Sequence, residues 1–213
     1  MTFENFNNNI SKIKDFPLPG LPSQAKLSPP FRKELLEEFK SLSATAKKAG
    51  VMALFYPDEE DICKLCLILR KTYKGVHSAQ VGFPGGRFEF EDQSLLETAL
   101  RETEEEVGIN RETISVIREM SEIYIPPSNF LVYPFLGLVS KRPQYILQES
   151  EVEAVIEANL SELLDENSIS DISVLTSMGK DVPVPAFTLS GHVVWGATAM
   201  MLGEIKDLIK QSI

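Results

Sequence analysis

A chain of 213 residues, 43% apolar and 24% charged, has the size and composition of one ordinary globular domain, able to bury a core without disulfides or structural metal. Its 31 acidic against 21 basic residues leave a formal net charge of -10, which repels nucleic acid phosphate and argues against a broad phosphate-binding face. No run approaches the roughly 18 apolar residues of a membrane span, and the Asn-rich start from Met1 to Lys14 has no signal-peptide core. A soluble, cytoplasmic protein with neither a nucleic acid nor a membrane partner is therefore expected.

In chain order, residues 1–30 are Pro-rich and weakly periodic, and are read as an extended N-terminal arm that covers a pocket or meets a second copy in a homodimer. Residues 31–213 are read as one domain. A helix is expected over Arg32 to Lys48, stopped by Gly50. Val51 to Tyr56 and Ile62 to Arg70 are strand-like runs flanking the acidic turn Pro57-Asp58-Glu59-Glu60. Cys63 and Cys66, three apart on the second run, point to opposite faces of a strand, and no further Cys or His follows at matching spacing. They are read as structural. A loop carrying Lys71, Lys74 and His77 leads to Phe83-Pro84-Gly85-Gly86, and a helix then runs from about Ser94 to Val107, closed by Gly108. Strands are expected at Ile114 to Ile117, Phe130 to Val139, Ile172 to Leu175 and Val182 to Leu189, with a short helix at Leu160 to Leu164. Trp195 to Ile209 carries the amphipathic stripe Met200, Leu202, Ile205, Leu208 and Ile209. Mixed strands with helices before, between and after them predict an α/β or α+β fold, a sheet covered on both faces.

The helix from Ser94 carries the chemistry. At about 100° per residue, Leu96, Ala99, Leu100, Thr103 and Val107 fall on one apolar stripe. Glu102 and Glu106 fall together on its flank, one turn apart, with Glu105 further round and Arg101 beyond it. Like charges four residues apart cost a helix a few tenths of a kcal/mol, so such a pair wants compensation. A hard divalent cation with oxygen ligands supplies it, and magnesium takes one or two carboxylates together with substrate phosphates. A solvated acidic face is the plain alternative; the upstream Gly85-Gly86 pair, which lets main chain approach an anion closely, and the closing Gly108 favour the cation.

Strand, glycine turn and Arg101-Glu102-Thr103-Glu104-Glu105-Glu106-Val107-Gly108-Ile109 together resemble the Nudix hydrolases. Their motif runs Gly, five residues, Glu, seven residues, Arg-Glu-U-x-Glu-Glu-x-Gly-U, with U apolar. Gly86 matches the opening glycine, Asp92 stands in place of the first Glu, eight residues separate it from Arg101, and Thr103 fills the first apolar position, so the box spans about 86–109. The longer spacing and the Asp resemble the coenzyme A pyrophosphatase branch. So do His77-Ser78-Ala79-Gln80-Val81-Gly82-Phe83-Pro84-Gly85-Gly86, Ile123-Tyr124-Ile125-Pro126-Pro127-Ser128-Asn129-Phe130, Pro134-Phe135 and Trp195-Gly196-Ala197-Thr198. The resemblance runs from about Val51 to Leu208. Ala79 and Gly82 depart from the branch's usual Gly and Ser, and Gly75 stands where a second Arg is expected, a charge that Lys71 or Lys74 would supply.

The resemblance implies a Nudix α/β/α sandwich with a mixed sheet, and Mg²⁺- or Mn²⁺-dependent hydrolysis of the diphosphate of coenzyme A or an acyl derivative. The products would be phosphopantetheine, acylated or not, and adenosine 3',5'-bisphosphate. Glu102 and Glu106 are the expected principal metal ligands, with Glu105 a further ligand or the general base and Arg101 an orienter of carboxylates. Arg70, Lys74, His77, Phe83, Gly85 and Gly86 are the expected substrate side of the site. His77 is equally readable as a structural loop residue, Glu151 as a further carboxylate or a solvated one, and His192 as structural. Two other readings stand beside this one: a Nudix enzyme for another nucleoside diphosphate derivative (ADP-ribose, NADH or a dinucleotide), and a non-catalytic binding module that keeps the fold.

Overall fold

The computed structural model describes residues 1–38, 40–71, 80–175 and 181–212. In chain order the elements are α1 (Phe3–Ile13), α2 (Leu21–Lys26), α3 (Arg32–Glu38), β1 (Lys47–Pro57), β2 (Cys63–Arg70), β3 (Val81–Gly82), β4 (Gly85–Arg87) and α4 (Leu95–Val107). There follow β5 (Ser115–Glu119), β6 (Ile123–Ile125), β7 (Phe130–Leu138), β8 (Val152–Asn159), α5 (Leu160–Leu164), β9 (Ile169–Leu175), β10 (Asp181–Leu189), β11 (His192–Trp195) and α6 (Gly196–Lys210).

The main sheet has the order β3-β2-β1-β7-β5, with β4 added to β1, β6 to β7 and β8 to β2. Among the described residues only β1 and β7 run parallel; the other pairings are antiparallel, so the sheet is mixed. A second, three-stranded sheet has the order β11-β10-β9. One edge of β1 is shared in succession: Ala49 to Val51 pair with β4, and Leu54 to Pro57 pair with β2. That hand-over opens the sheet beside Gly85.

Alternation along the central strands sends their side chains to two cores. Ala53, Phe55, Leu65 and Leu67 pack with Phe3, Phe6, Ile10 and Ile13 of α1 and with Leu202, Ile205, Leu208 and Ile209 of α6. Met52, Leu54, Tyr56, Cys66 and Ile68 pack with Ala99 and Val107 of α4 on the opposite face. Helices therefore cover both faces of a mixed sheet, as expected. Cys63 belongs to the first core and Cys66 to the second; both are free and buried. Burial raises both thiols, that of Cys66 to about 12, which keeps it protonated and unreactive. No helix among the described residues is long and apolar enough to cross a membrane.

Two expectations need correction. The N-terminal 30 residues are not an extended arm, because Phe3, Phe6, Ile10 and Ile13 recur at helical spacing and are all buried. Thr2 caps α1 by accepting from the Asn5 amide at 3.2 Å. The helix expected over Arg32 to Lys48 ends at Glu38, having buried no side chain, and a 3-10 turn at Ser43–Thr45 leads into β1. Without a buried face, helix extension gains nothing, whereas Lys47 onward completes a nine-residue ladder against β7. Gly50 is thus a strand residue rather than a helix stop. A Cβ there would lie 2.2 Å from the Leu95 carbonyl oxygen, so its small size lets α4 sit directly on β1.

Candidate functional site

The position of α4 is fixed at both ends. Ser94 accepts from the Glu97 amide at 3.2 Å, and Gly108, at φ 75°, returns its amide to the Glu104 carbonyl at 2.9 Å. Two further carbonyls of the last turn are capped by the segment before β8: Ile146 donates to Val107 and Gln148 to Glu106, both at 3.0 Å. Ala99, Thr103 and Val107 face the core, and the Thr103 hydroxyl donates to the Ala99 carbonyl at 2.6 Å.

Glu102 and Glu106 point from this helix onto β4. The Gly85 amide donates to Glu106 Oε2 at 2.8 Å. A Cβ on Gly86 would lie 2.4 Å from Glu102 Cδ, so the Glu102 carboxylate fills the place of a side chain there. Gly85 itself has φ 146° and would drive a Cβ to 2.4 Å from the Gly50 carbonyl oxygen. The glycine pair is therefore demanded by carboxylates and main chain in contact, as the sequence pattern implied.

Glu106 is only 1% exposed, and its Oε1 has no hydrogen-bond partner among the described residues. Burial raises its carboxyl to about 7, against the lowering influence of Arg70 and the Gly85 amide. Burial likewise raises Glu102, which Arg101 opposes. Charge on Glu151, in the turn before β8, adds to the upward push on both. The Gln148 backbone ties these parts together: its amide holds the Glu106 carbonyl, and its own carbonyl accepts from the Glu151 and Val152 amides at 2.9 and 3.0 Å.

Arg101, expected to orient carboxylates, bonds to three of them. Its Nε and Nη2 donate to the two oxygens of Asp92 at 2.9 and 3.0 Å, and Nη1 donates to Glu102 Oε1 at 2.9 Å and Glu105 Oε2 at 3.0 Å. Asp92 also accepts from the Thr98 hydroxyl at 2.8 Å and the Glu89 amide at 3.0 Å. These donors, Arg101 first, hold Asp92 well below the usual carboxylate range. Asp92 anchors the guanidinium and stands apart from the Glu102–Glu106 pair. Thr98 escaped the sequence reading, although its place three residues before Arg101 on the same side of the helix was a usable signal.

Other expected residues divide. Glu105 is half exposed and tethered to Arg101. Phe83, expected at the substrate, is instead 2% exposed within the first core, so its ring anchors the glycine turn from below. Arg70 was expected to face substrate, but it turns inward: Nη2 donates to the Gly85 carbonyl at 2.7 Å and Nη1 lies 3.4 Å from Glu106 Oε1. Lys74 and His77 lie outside the described residues. His192 begins β11, in keeping with a structural role.

Among the described residues, no group of three His, Cys, Asp or Glu side chains is gathered tightly enough to cage a metal ion. The donor set still suits a hard divalent cation. Glu102 and Glu106 offer oxygen ligands, one of them buried without a hydrogen bond, and magnesium needs no more than one or two carboxylates when phosphates complete its shell.

Helices thus cover both faces of a mixed sheet, with an acidic helix laid on a glycine turn. The chain belongs to the NUDIX family, whose domain model matches residues 46–176. It is 31% identical over 153 residues to the uncharacterized Nudix hydrolase NudL of Photorhabdus laumondii, covering 70% of this chain and 81% of that one. Among solved structures it is similar to RenU, a Nudix hydrolase from M. smegmatis, with a TM-score of 0.54, 11% identity, and coverage of 78% of this chain and 87% of the other. A MutT/nudix family protein from Enterococcus faecalis aligns with a TM-score of 0.52 and 18% identity, over 82% of this chain and 70% of that one. As a family member the chain is a Nudix hydrolase.

Proposed function

We propose that this hydrolase cleaves the diphosphate of coenzyme A or an acyl derivative, with Mg²⁺ or Mn²⁺, giving phosphopantetheine (or its acyl form) and adenosine 3',5'-bisphosphate. The choice of substrate is supported by the segments from His77 to Gly86, Ile123 to Phe130 and Trp195 to Thr198, which resemble the coenzyme A pyrophosphatase branch. The chemistry is carried by one observation: Glu102 and Glu106 converge on the Gly85-Gly86 turn, and Glu106 keeps a buried oxygen without a hydrogen bond.

Glu102 and Glu106 would hold the divalent ion, with Glu105 as a further ligand or as the base. The ion, when bound, neutralises phosphate oxygens and lowers the pKa of a coordinated water. Water adds to one phosphorus, the bridging P–O bond breaks, and the displaced phosphate leaves as a monoester while the water proton passes to a carboxylate. Glu105 is the candidate for that proton because its half-exposed side chain faces solvent while its Oε2 stays fixed by Arg101. Arg101 positions Glu102 and Glu105 from its anchor on Asp92. Lys74 and His77 are proposed to contact the substrate, Lys74 through the ribose phosphate.

Incubation with Mg²⁺ and, separately, coenzyme A, its dephospho form, ADP-ribose and NADH, with products weighed by mass spectrometry, tests the reading. Adenosine 3',5'-bisphosphate from coenzyme A at the highest kcat/KM supports it. Preference for ADP-ribose or NADH contradicts the substrate. A Lys74→Ala variant should raise KM for coenzyme A more than for the dephospho form; an equal rise removes the phosphate contact.

A further inference from the structure

The described part of the site contains two guanidinium groups that behave differently. Arg101 is committed by two parallel bonds to Asp92 and by further bonds to Glu102 and Glu105. Among the described residues, the Arg70 guanidinium makes one hydrogen bond, from Nη2 to the Gly85 carbonyl, and places Nη1 3.4 Å from Glu106 Oε1 without a hydrogen bond to that oxygen. Its side chain is 25% exposed. Glu106 is almost fully buried, and the other carboxylates whose charge reaches it, Glu102 and Glu151, repel it. A carboxylate in that position needs a cation close by. Among the described residues, Arg70 is the cation paired with it.

We propose that Arg70 is the resident counterion of Glu106 in the metal-free enzyme and that a divalent cation displaces it on binding. The inference rests on Glu106 being a metal ligand. Oε2 already accepts from the Gly85 amide, so Oε1, which makes no hydrogen bond among the described residues, is the more open oxygen for a cation, and it is the atom that Arg70 attends. A guanidinium and a dication cannot share it, because their mutual repulsion in a buried site is strong. Metal entry therefore moves the Arg70 head group away from Glu106. Arg70 then acts as a positioning residue that keeps the ligand charged and in place until the metal takes over.

The test is Mn²⁺ binding without substrate at neutral pH, counted from the free-ion signal in electron paramagnetic resonance. It compares the wild-type chain with Arg70→Gln, Arg70→Lys and Glu106→Gln. Removing the competing charge in Arg70→Gln should tighten Mn²⁺ binding about tenfold, while Arg70→Lys, which keeps the charge, should stay near wild type. Binding by folded Arg70→Gln that is equal to or weaker than wild type overturns the proposal. Wild-type binding that Glu106→Gln leaves unaltered would instead remove the metal-site reading beneath it. Should Arg70→Gln fail to fold, the Arg70 Nε–H resonance of the wild-type chain decides. A shift on Mg²⁺ saturation supports displacement, and an unmoved resonance contradicts it.

Discussion

Asp92 gives both its oxygens to Arg101 and adds bonds from Thr98 and the Glu89 amide, whereas Glu106 keeps one oxygen without a hydrogen bond. Neighbouring charge and burial thus push two carboxylates of one site in opposite directions, Asp92 down and Glu106 up. Asp92→Asn should lower unfolding free energy by about 2 kcal/mol in urea titrations near neutral pH, through loss of a mostly buried, bidentate ion pair. The sign with pH follows from the depressed folded value. The wild-type advantage is present above the ordinary value of 3.8 and is lost as pH falls below it, so the two melting curves should converge in acid. A gap that widens in acid would contradict the assignment. Gly86→Ala should lower kcat/KM about 100-fold with the fold retained, since the new methyl takes the space of the Glu102 carboxylate. Unchanged kinetics in that variant would mean that Glu102 is not placed by the turn. At this scale the placing of the acidic pair, the glycine pair and Arg101 next to one another was legible, because each follows from helical spacing or from a motif. The inward turn of Arg70 and the burial of Phe83 depend on the strand hand-over at β1, which no local pattern encodes.

Among the elements, α4 was legible almost to the residue because Ser94 and Gly108 mark its ends with side-chain and backbone chemistry that acts locally. The same holds for α5 and α6, whose apolar stripes match the expected spans closely. The N-terminal helix was hidden by its Asn-rich polar face, which dilutes the apolar residues without disturbing the spacing of Phe3, Phe6, Ile10 and Ile13. The region from Arg32 misled in the opposite way, since its helix-forming composition had no core to meet, and pairing with β7 decided the outcome. Phe6 packs 5.0 Å from the Phe55 ring, centroid to centroid, and is 1% exposed. Phe6→Ala should therefore cost about 3 kcal/mol of unfolding free energy while leaving turnover by the folded protein within about twofold. A cost below about 0.5 kcal/mol would show that α1 detaches freely and contributes little to the core.

For the molecule as a whole, the two-faced mixed sheet followed from the order of elements, because helices placed before, between and after strands must cover both faces. The place of β8 did not follow, since its pairing with β2 joins residues far apart in the chain, and the three-stranded sheet, although its strands are consecutive and pair with their chain neighbours, was not foreseen as a separate sheet. The sandwich sets the site by laying α4 on β1 beside the glycine turn at that strand's edge, and by bringing the remote residues Ile146 and Gln148 to cap the helix. A formal charge of -10 sits easily with this arrangement, because cations rather than a basic surface would neutralise the phosphate. The central claim is that Glu106, with Glu102, holds the ion on which turnover depends. The most direct measurement is the Mg²⁺-dependent kcat of Glu106→Gln against wild type, on whichever diphosphate the wild type cleaves best, with melting temperatures recorded alongside. A fall of about 1000-fold with the melting temperature preserved is the expected result. A kcat within about twofold of wild type would contradict the account.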